Sequence, residues 1–335
     1  ATPQVHALLD FLDRISGHYI VSGQQEAMDW FGTSNDTQFN AILDKTGKIP
    51  VVRGFDYLFL MDSRNTYRGV SDNAIAWARS GGIVTMCCHM FMDIGSPPEN
   101  PQFYVPAANN GTGTTFDIRQ AVIPGTPENA EYLAKLDLLA TELTKLRDAG
   151  VPVLWRPFHE CSGGWFWWGA HGPEPLIAAY RIMFDRFTQQ YGLNNLIWIF
   201  NPTGVGRAEV DAKLRAWYPG DDVVDMVTLD FYPAAGTHPD FAAEYQTLHD
   251  FKGGHKVIGM SENGAIPDPD QLFADGLGWT YFCTWNGFES DPTQNSADFL
   301  NQVFNHPKVV TLDEFPALFA TYTLPLTTQP KSQMV

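Results

Sequence analysis

The sequence predicts an α/β protein built as a single-domain (β/α)8 TIM barrel. Three observations carry that expectation. Eight short apolar runs rich in β-branched residues recur along the chain, each run closes on polar or aromatic residues, and segments of helical period lie between them. A doubly wound sheet is the rival, but no G-x-G-x-x-G follows the first run and no Walker-type loop occurs.

Tyr19 to Ser22 is the first predicted strand, and Val51 to Phe55 the second, followed by a short helical candidate over Ala74 to Arg79. Gly82 to His89 is the third. Behind it, Ser96 to Thr126 is rich in Pro, Gly, Asn and Thr and has no period. A loop that long is usually functional, and after a third barrel strand it is expected to lie over the mouth. The clearest helix is Glu131 to Ala149, where Leu133, Leu136, Leu139, Leu143 and Leu146 recur every three or four residues and Gly150 is the stop. Val151 to Glu160 is the fourth strand, and Ile177 to Gln190, with Tyr180, Phe184 and Phe187 on one face, the helix after it. Leu196 to Asn201 and Val223 to Tyr232 are the fifth and sixth strands, with a helix over Ala208 to Trp217 between them. Lys256 to Glu262 and Trp279 to Trp285 complete the eight, and Ala297 to Phe304 is the last helix. None of the runs alternates cleanly, as expected of strands buried on both faces. The barrel is expected to occupy residues 1–326, with 327–335 a frayed tail.

Composition narrows the function. With 335 residues, 44% of them hydrophobic, the chain can bury a large core; a net charge of −17 makes nucleic acid and anionic membranes poor partners. Aromatics reach 13%, with ten Trp, and there are 29 Gly and 23 Pro, so flat surfaces and loops abound and a neutral polar ligand such as sugar is expected. The longest apolar stretch, Ile83 to Met92, is about half the length a membrane span requires. The chain starts at Ala1 without a Met or an apolar leader, which reads as a mature or trimmed product and is compatible with export. Cys87, Cys88, Cys161 and Cys283 lack metal-site spacing; they read as buried thiols, or as one bridge from the Cys87/Cys88 pair to Cys161. Sequons stand at Asn35-Asp36-Thr37 and Asn110-Gly111-Thr112.

Barrel enzymes draw their catalytic groups from the C-terminal ends of strands. Glu160 closes the fourth run and Glu262 the seventh, so the two carboxylates can face each other across one mouth. Glycosidic cleavage uses such a pair: one group protonates the leaving oxygen, and the other attacks the anomeric carbon or activates water. Each Glu could instead be a strand-end charge paired with Arg53 or Arg156. The aromatics favour sugar chemistry. Trp165, in Gly163-Gly164-Trp165-Phe166-Trp167-Trp168-Gly169, and Trp285, ending the eighth run, are candidate platforms for pyranose faces. Tyr232 ends the sixth run within reach of a carboxylate on the seventh, and His89 ends the third, able to bind a sugar hydroxyl or to pack. Trp155, Trp198 and Trp279 are expected to be packing residues. H-E-x-x-H and G-x-S-x-G are absent, and His6, His171, His238, His249 and His255 sit in helices or loops, which argues against a metal centre.

Trp155-Arg156-Pro157-Phe158-His159-Glu160, then Gly164-Trp165-Phe166-Trp167-Trp168-Gly169, and farther on Ser261-Glu262-Asn263-Gly264, resemble glycoside hydrolase family 26, chiefly β-mannanases. The likeness runs from the Ser22-Gly23-Gln24-Gln25 turn to Trp285-Asn286-Gly287. It implies Glu160 as acid/base and Glu262 as nucleophile of a retaining double displacement, with His89, His159, Trp165, Tyr232 and Trp285 lining the subsites. It also implies that Arg156 orients Glu160 or its neighbours. The resemblance calls for no metal or organic cofactor. The expected function is thus a secreted, monomeric endo-β-1,4-mannanase acting on mannan, glucomannan and galactomannan. The alternatives are a β-1,3-xylanase or mixed-linkage glucanase, and a non-catalytic polysaccharide-binding protein.

Overall fold

Short runs apolar on both sides suit strands held between a packed interior and a ring of helices. A computed structural model, describing residues 1–26, 36–62 and 69–323, has this arrangement. Eight parallel strands close into a barrel in chain order, and a separate two-stranded pair joins the chain's two ends. In chain order the strands are β1 (Ile20–Val21), β2 (Gly23–Gln25), β3 (Val52–Asp56), β4 (Ile83–Cys87) and β5 (Val153–Arg156), then β6 (Leu196–Phe200), β7 (Met226–Phe231), β8 (Val257–Asn263), β9 (Phe282–Thr284) and β10 (Val309–Val310). Strands β2 to β9 form the barrel, closed where Gln24 pairs with Thr284.

The first expected strand is corrected. Ile20–Val21 pairs with Val309–Val310 outside the barrel, and the first barrel strand is Gly23–Gln25, within the stretch read as a turn. Two glutamines do not read as a strand, yet their polar side chains suit the mouth. Gly23 is needed for closure, since a Cβ there would stand 2.4 Å from the Phe282 carbonyl oxygen.

Each barrel strand is followed by at least one helix, with two after β3 and, besides a short 3-10 turn, two after β4. That over Pro127–Asp148 begins a turn before the expected Glu131, because Thr126 accepts the N–H of Asn129 and Pro127 occupies the first turn without losing a bond. Its buried face is Tyr132, Leu136, Leu139, Ala140, Leu143 and Leu146, and it ends where Gly150 takes φ 74°. The helix expected over Ile177 to Gln190 is Pro173–Asp185 continued by a wide π turn over Arg186–Gln190. The last expected helix, Ala297–Phe304, has those bounds.

Val52, Ile83, Leu154, Ile197, Ile199, Met226 and Tyr281 share one apolar cluster with Val5, Leu8, Phe11, Leu12 and Ile15 of the first helix, Pro3–Ile15. That helix therefore seals the end of the barrel opposite the strand C-termini. Each such side chain contributes about 1.5–3 kcal/mol on burial. Trp155, Trp198 and Trp279 are buried as expected of packing residues, and all four cysteines are buried free thiols, so the bridge to Cys161 does not form.

The Ser96 to Thr126 segment is stitched to the loop after Glu160. The Trp167 N–H donates to the Phe103 carbonyl at 3.1 Å, Val105 N–H to Trp165 at 2.9 Å, and Tyr104 and Phe166 form an antiparallel bridge. Among the described residues no helix is long and apolar enough to cross a membrane. Asn110 is exposed; Asn35, the domain end at 326 and the tail 327–335 lie outside the described residues.

Candidate active site

The C-terminal ends of β3 to β9 converge on one mouth, where barrel enzymes keep their chemistry. Glu262 is the penultimate residue of β8, and an irregularity aims it. Leu229 pairs with Met260 but Asp230 pairs with Glu262, so Ser261 is an extra residue. Because facing alternates with period two, that one-residue bulge reverses the side to which Glu262 points. The buried carboxylate then accepts from two donors: Tyr232 Oη at 2.6 Å, and Arg156 Nη2 in a close ion pair. Arg156 Nη1 donates to Asp230 Oδ2 at 2.8 Å and to Asn201 Oδ1 at 3.1 Å. The guanidinium expected to orient Glu160 or its neighbours thus meets Glu262 and Asp230, while Arg53 pairs with Glu26 and Asp36, away from both glutamates.

Glu160 stands beyond β5, which ends at Arg156, in a turn rather than a strand. Both Phe158 (φ 49°) and Glu160 (φ 52°) are left-handed, a conformation costing roughly 1–3 kcal/mol at each non-glycine residue. Surrounding contacts hold the strain. Phe158 packs among Tyr132, Trp167, Trp168 and Tyr180, and the Glu160 N–H donates to Asn201 Oδ1 at 2.9 Å. Trp165 Nε1 donates to Glu160 Oε2 at 2.8 Å. Its indole lies over Gly163, where a Cβ would come within 2.3 Å of the ring. One oxygen from each of Glu160, Asp230 and Glu262 lies within 4.8 Å of the others.

These environments separate the two glutamates. Burial, then the charge of Glu262, pushes Glu160 up to about 7, against the opposing pull of the Trp165 hydrogen bond, Arg156 and His89. Glu262 instead has a cation and a phenol on its oxygens. Asp56, Cys87 and His89 form a second group of possible cation ligands beside the Glu160, Asp230 and Glu262 cluster. In the Asp56 group, His89 Nδ1 already faces Asp56; in the Glu262 group, Arg156 supplies a positive charge from the protein itself.

The aromatics divide by exposure. Trp167 and Trp168 are buried and spend their N–H groups on the carbonyls of Met90 (2.8 Å) and His159 (3.0 Å). Trp165 and Trp285 remain partly exposed, and Tyr232 is 47% exposed with its hydroxyl on Glu262. The His89 ring lies against Phe103, Phe166 and Trp285. His159 is 1% exposed and meets His89, Nε2 to Nε2, at 3.1 Å, so it stands behind His89 rather than on the cleft surface.

Residues 1–314 match the model of glycosyl hydrolase family 26. The chain belongs to that family. It is 36% identical to a mannan endo-1,4-beta-mannosidase of Thermothelomyces thermophilus, over 94% of this chain and 62% of that protein. It is 31% identical to mannan endo-1,4-beta-mannosidase A of Piromyces sp, over 95% of this chain and 50% of that protein. The chain thus spans less than two thirds of these curated relatives. Among solved structures, a Podospora anserina GH26-CBM35 β-(1,4)-mannanase superposes with TM-score 0.82 at 33% identity, over 95% of this chain and 68% of that one. A β-mannanase from a symbiotic protist of the termite Reticulitermes speratus, complexed with gluco-manno-oligosaccharide, superposes with TM-score 0.83 at 33% identity, over 94% and 95% of the two chains.

Four residues of this family 26 site escape a reading by motif: Asp56, Asn201, Asp230 and Phe103. The first three end β3, follow β6 and sit near the end of β7, so the strand-end rule that found the glutamates also points to them. Phe103 lies in the aperiodic loop and carries no such signal.

Proposed function

We propose that this family 26 barrel is an endo-β-1,4-mannanase that hydrolyses mannan, glucomannan and galactomannan with retention, Glu160 serving as acid/base and Glu262 as nucleophile. The observation that carries the reading is the unequal pair itself. Glu262 holds two donors, while Glu160, close beside it, is raised to about 7. Oxygens of the two groups within 4.8 Å of each other favour the retaining separation of about 5–5.5 Å over the wider one, about 6.5–9.5 Å, that inversion uses.

Protonated Glu160 gives its proton to the glycosidic oxygen as Glu262 attacks the anomeric carbon. Esterification removes the charge of Glu262, one of the two influences that raise Glu160, so the acid/base group ionises more readily and takes a proton from the incoming water. Trp165 and Trp285 are the sugar platforms, with Tyr232 and His89 beside the cleaved bond and His159 behind His89. The mannan assignment draws on the names of the relatives. A polysaccharide cannot cross a membrane, so secretion goes with this substrate; the protein acts as a monomer.

Reducing-sugar release from mannan, β-1,3-xylan and lichenan, assayed side by side, tests the proposal. Mannan is expected to be the preferred substrate, with kcat/KM falling above a pH of about 7 as free Glu160 loses its proton. Faster cleavage of either other glycan favours the alternative specificity, and no hydrolysis of any mannan overturns the reading.

A further inference from the structure

Asp56 ends β3 inside the barrel and is 0% exposed. It is gripped at both oxygens. Oδ1 accepts the backbone N–H groups of Leu58 at 2.8 Å and His89 at 3.0 Å, and Oδ2 stands 2.5 Å from His89 Nδ1. A carboxylate only accepts hydrogen bonds, so Nδ1 carries the hydrogen. The other ring nitrogen, Nε2, faces His159 Nε2 at 3.1 Å, and one hydrogen lies between them. His159 Nδ1 is buried with no partner among the described residues. Burial, His89 and Arg156 all oppose a charge on His159 and hold its pKa well below the ordinary value. For His89 burial also opposes a charge, but Asp56 outweighs it and raises the pKa. The remaining charged and titratable groups facing His89 are Cys87 on its own strand end, Arg156 on β5, Glu262 on β8, and Glu160 across the mouth.

We propose that Asp56 is a positioning residue for the glycosidic step, acting through His89: it fixes the ring's orientation, holds the hydrogen on Nδ1 and favours a positive charge on the ring beside the two glutamates. This deepens the glycosidase reading above and rests on it. A positive His89 opposes the burial and the Glu262 charge that raise Glu160, and so helps to set the pH at which the acid loses its proton.

Asp56→Asn isolates the effect. The side-chain carbonyl still accepts from Leu58 and His89, but an N–H replaces Oδ2 and donates to Nδ1, which must then be bare. kcat/KM on manno-oligosaccharides is expected to fall about 10- to 100-fold, the scale known for carboxylates that orient metal-binding histidines. The alkaline limb of its pH profile is expected to move to higher pH, a change that a merely structural role would not produce. In a His89→Gln background the same substitution should cost nothing further, since its route is gone. Unchanged limbs, or losses that multiply in the double variant, overturn the proposal. Nitrogen-15 spectra of the His89 ring in the unaltered protein test it even where the variant fails to fold. Nδ1 is expected to stay protonated while Nε2 gives up its hydrogen at a higher pH than in a free histidine; a bare Nδ1, or loss of the second hydrogen at or below the pH of a free histidine, overturns it. If the unaltered protein cleaves no β-glycan, the glycosidase reading fails, while the ring spectrum still decides what Asp56 does to His89.

Discussion

Glu262→Ala is expected to lower kcat on mannan by about 10^4-fold or more, the scale seen when a covalent nucleophile is removed. Manno-oligosaccharide binding should stay within a few-fold, because Trp165 and Trp285 and the His89 side of the cleft are untouched. The fold should survive, since Arg156 keeps Asp230 and Asn201 as partners. Steady-state kinetics with calorimetric titration of a manno-oligosaccharide separates the two effects. A variant with near-wild-type kcat shows that Glu262 is not the nucleophile, and one that loses binding in step with kcat shows that the carboxylate serves affinity instead.

Arg156→Met has the second largest expected effect and combines activity with stability. Arg156 is 3% exposed and lies between Glu262 and Asp230, whose side chains are 6% and 1% exposed. Methionine fills much of the volume but leaves two buried carboxylates side by side. Breaking a buried ion pair from one side costs about 3–5 kcal/mol. For a chain of this length that corresponds to a melting temperature lower by roughly 4–7 °C. kcat should fall as well, since Glu262 loses one of its two donors. Thermal melts and kinetics on Arg156→Met check both; unchanged stability with unchanged kcat would mean that the guanidinium is incidental to the site.

The two glutamates and the barrel were legible because both follow from pattern: apolar runs of strand length, helical periods between them, and an acidic residue at a run's end. What escaped depends on closure in three dimensions. Gly23, Gln24 and Gln25 break the apolar pattern because polar side chains suit the mouth, so the apolar run lies a few residues before the first barrel strand. The fourth run extends to Glu160 in the sequence, whereas the strand stops at Arg156 and the chain turns through two left-handed residues that no local propensity favours. The bulge at Ser261 is a property of register between β7 and β8 and leaves no mark in β8 alone. Arg156 could be suspected from its place in the motif, but that it joins Glu262 to Asp230 requires three strands brought together. Asp56 sits one residue past the run Val51 to Phe55, and its role emerges only once β4 brings His89 alongside.

The stereochemistry of the first product tests the central assignment most directly. Proton NMR during the first minutes of manno-oligosaccharide hydrolysis, before mutarotation, reads which anomer is released. Closely spaced Glu160 and Glu262 acting by double displacement predict the β-anomer first. Release of the α-anomer would mean a single displacement by water, and would contradict both the spacing argument and the role given to Glu262.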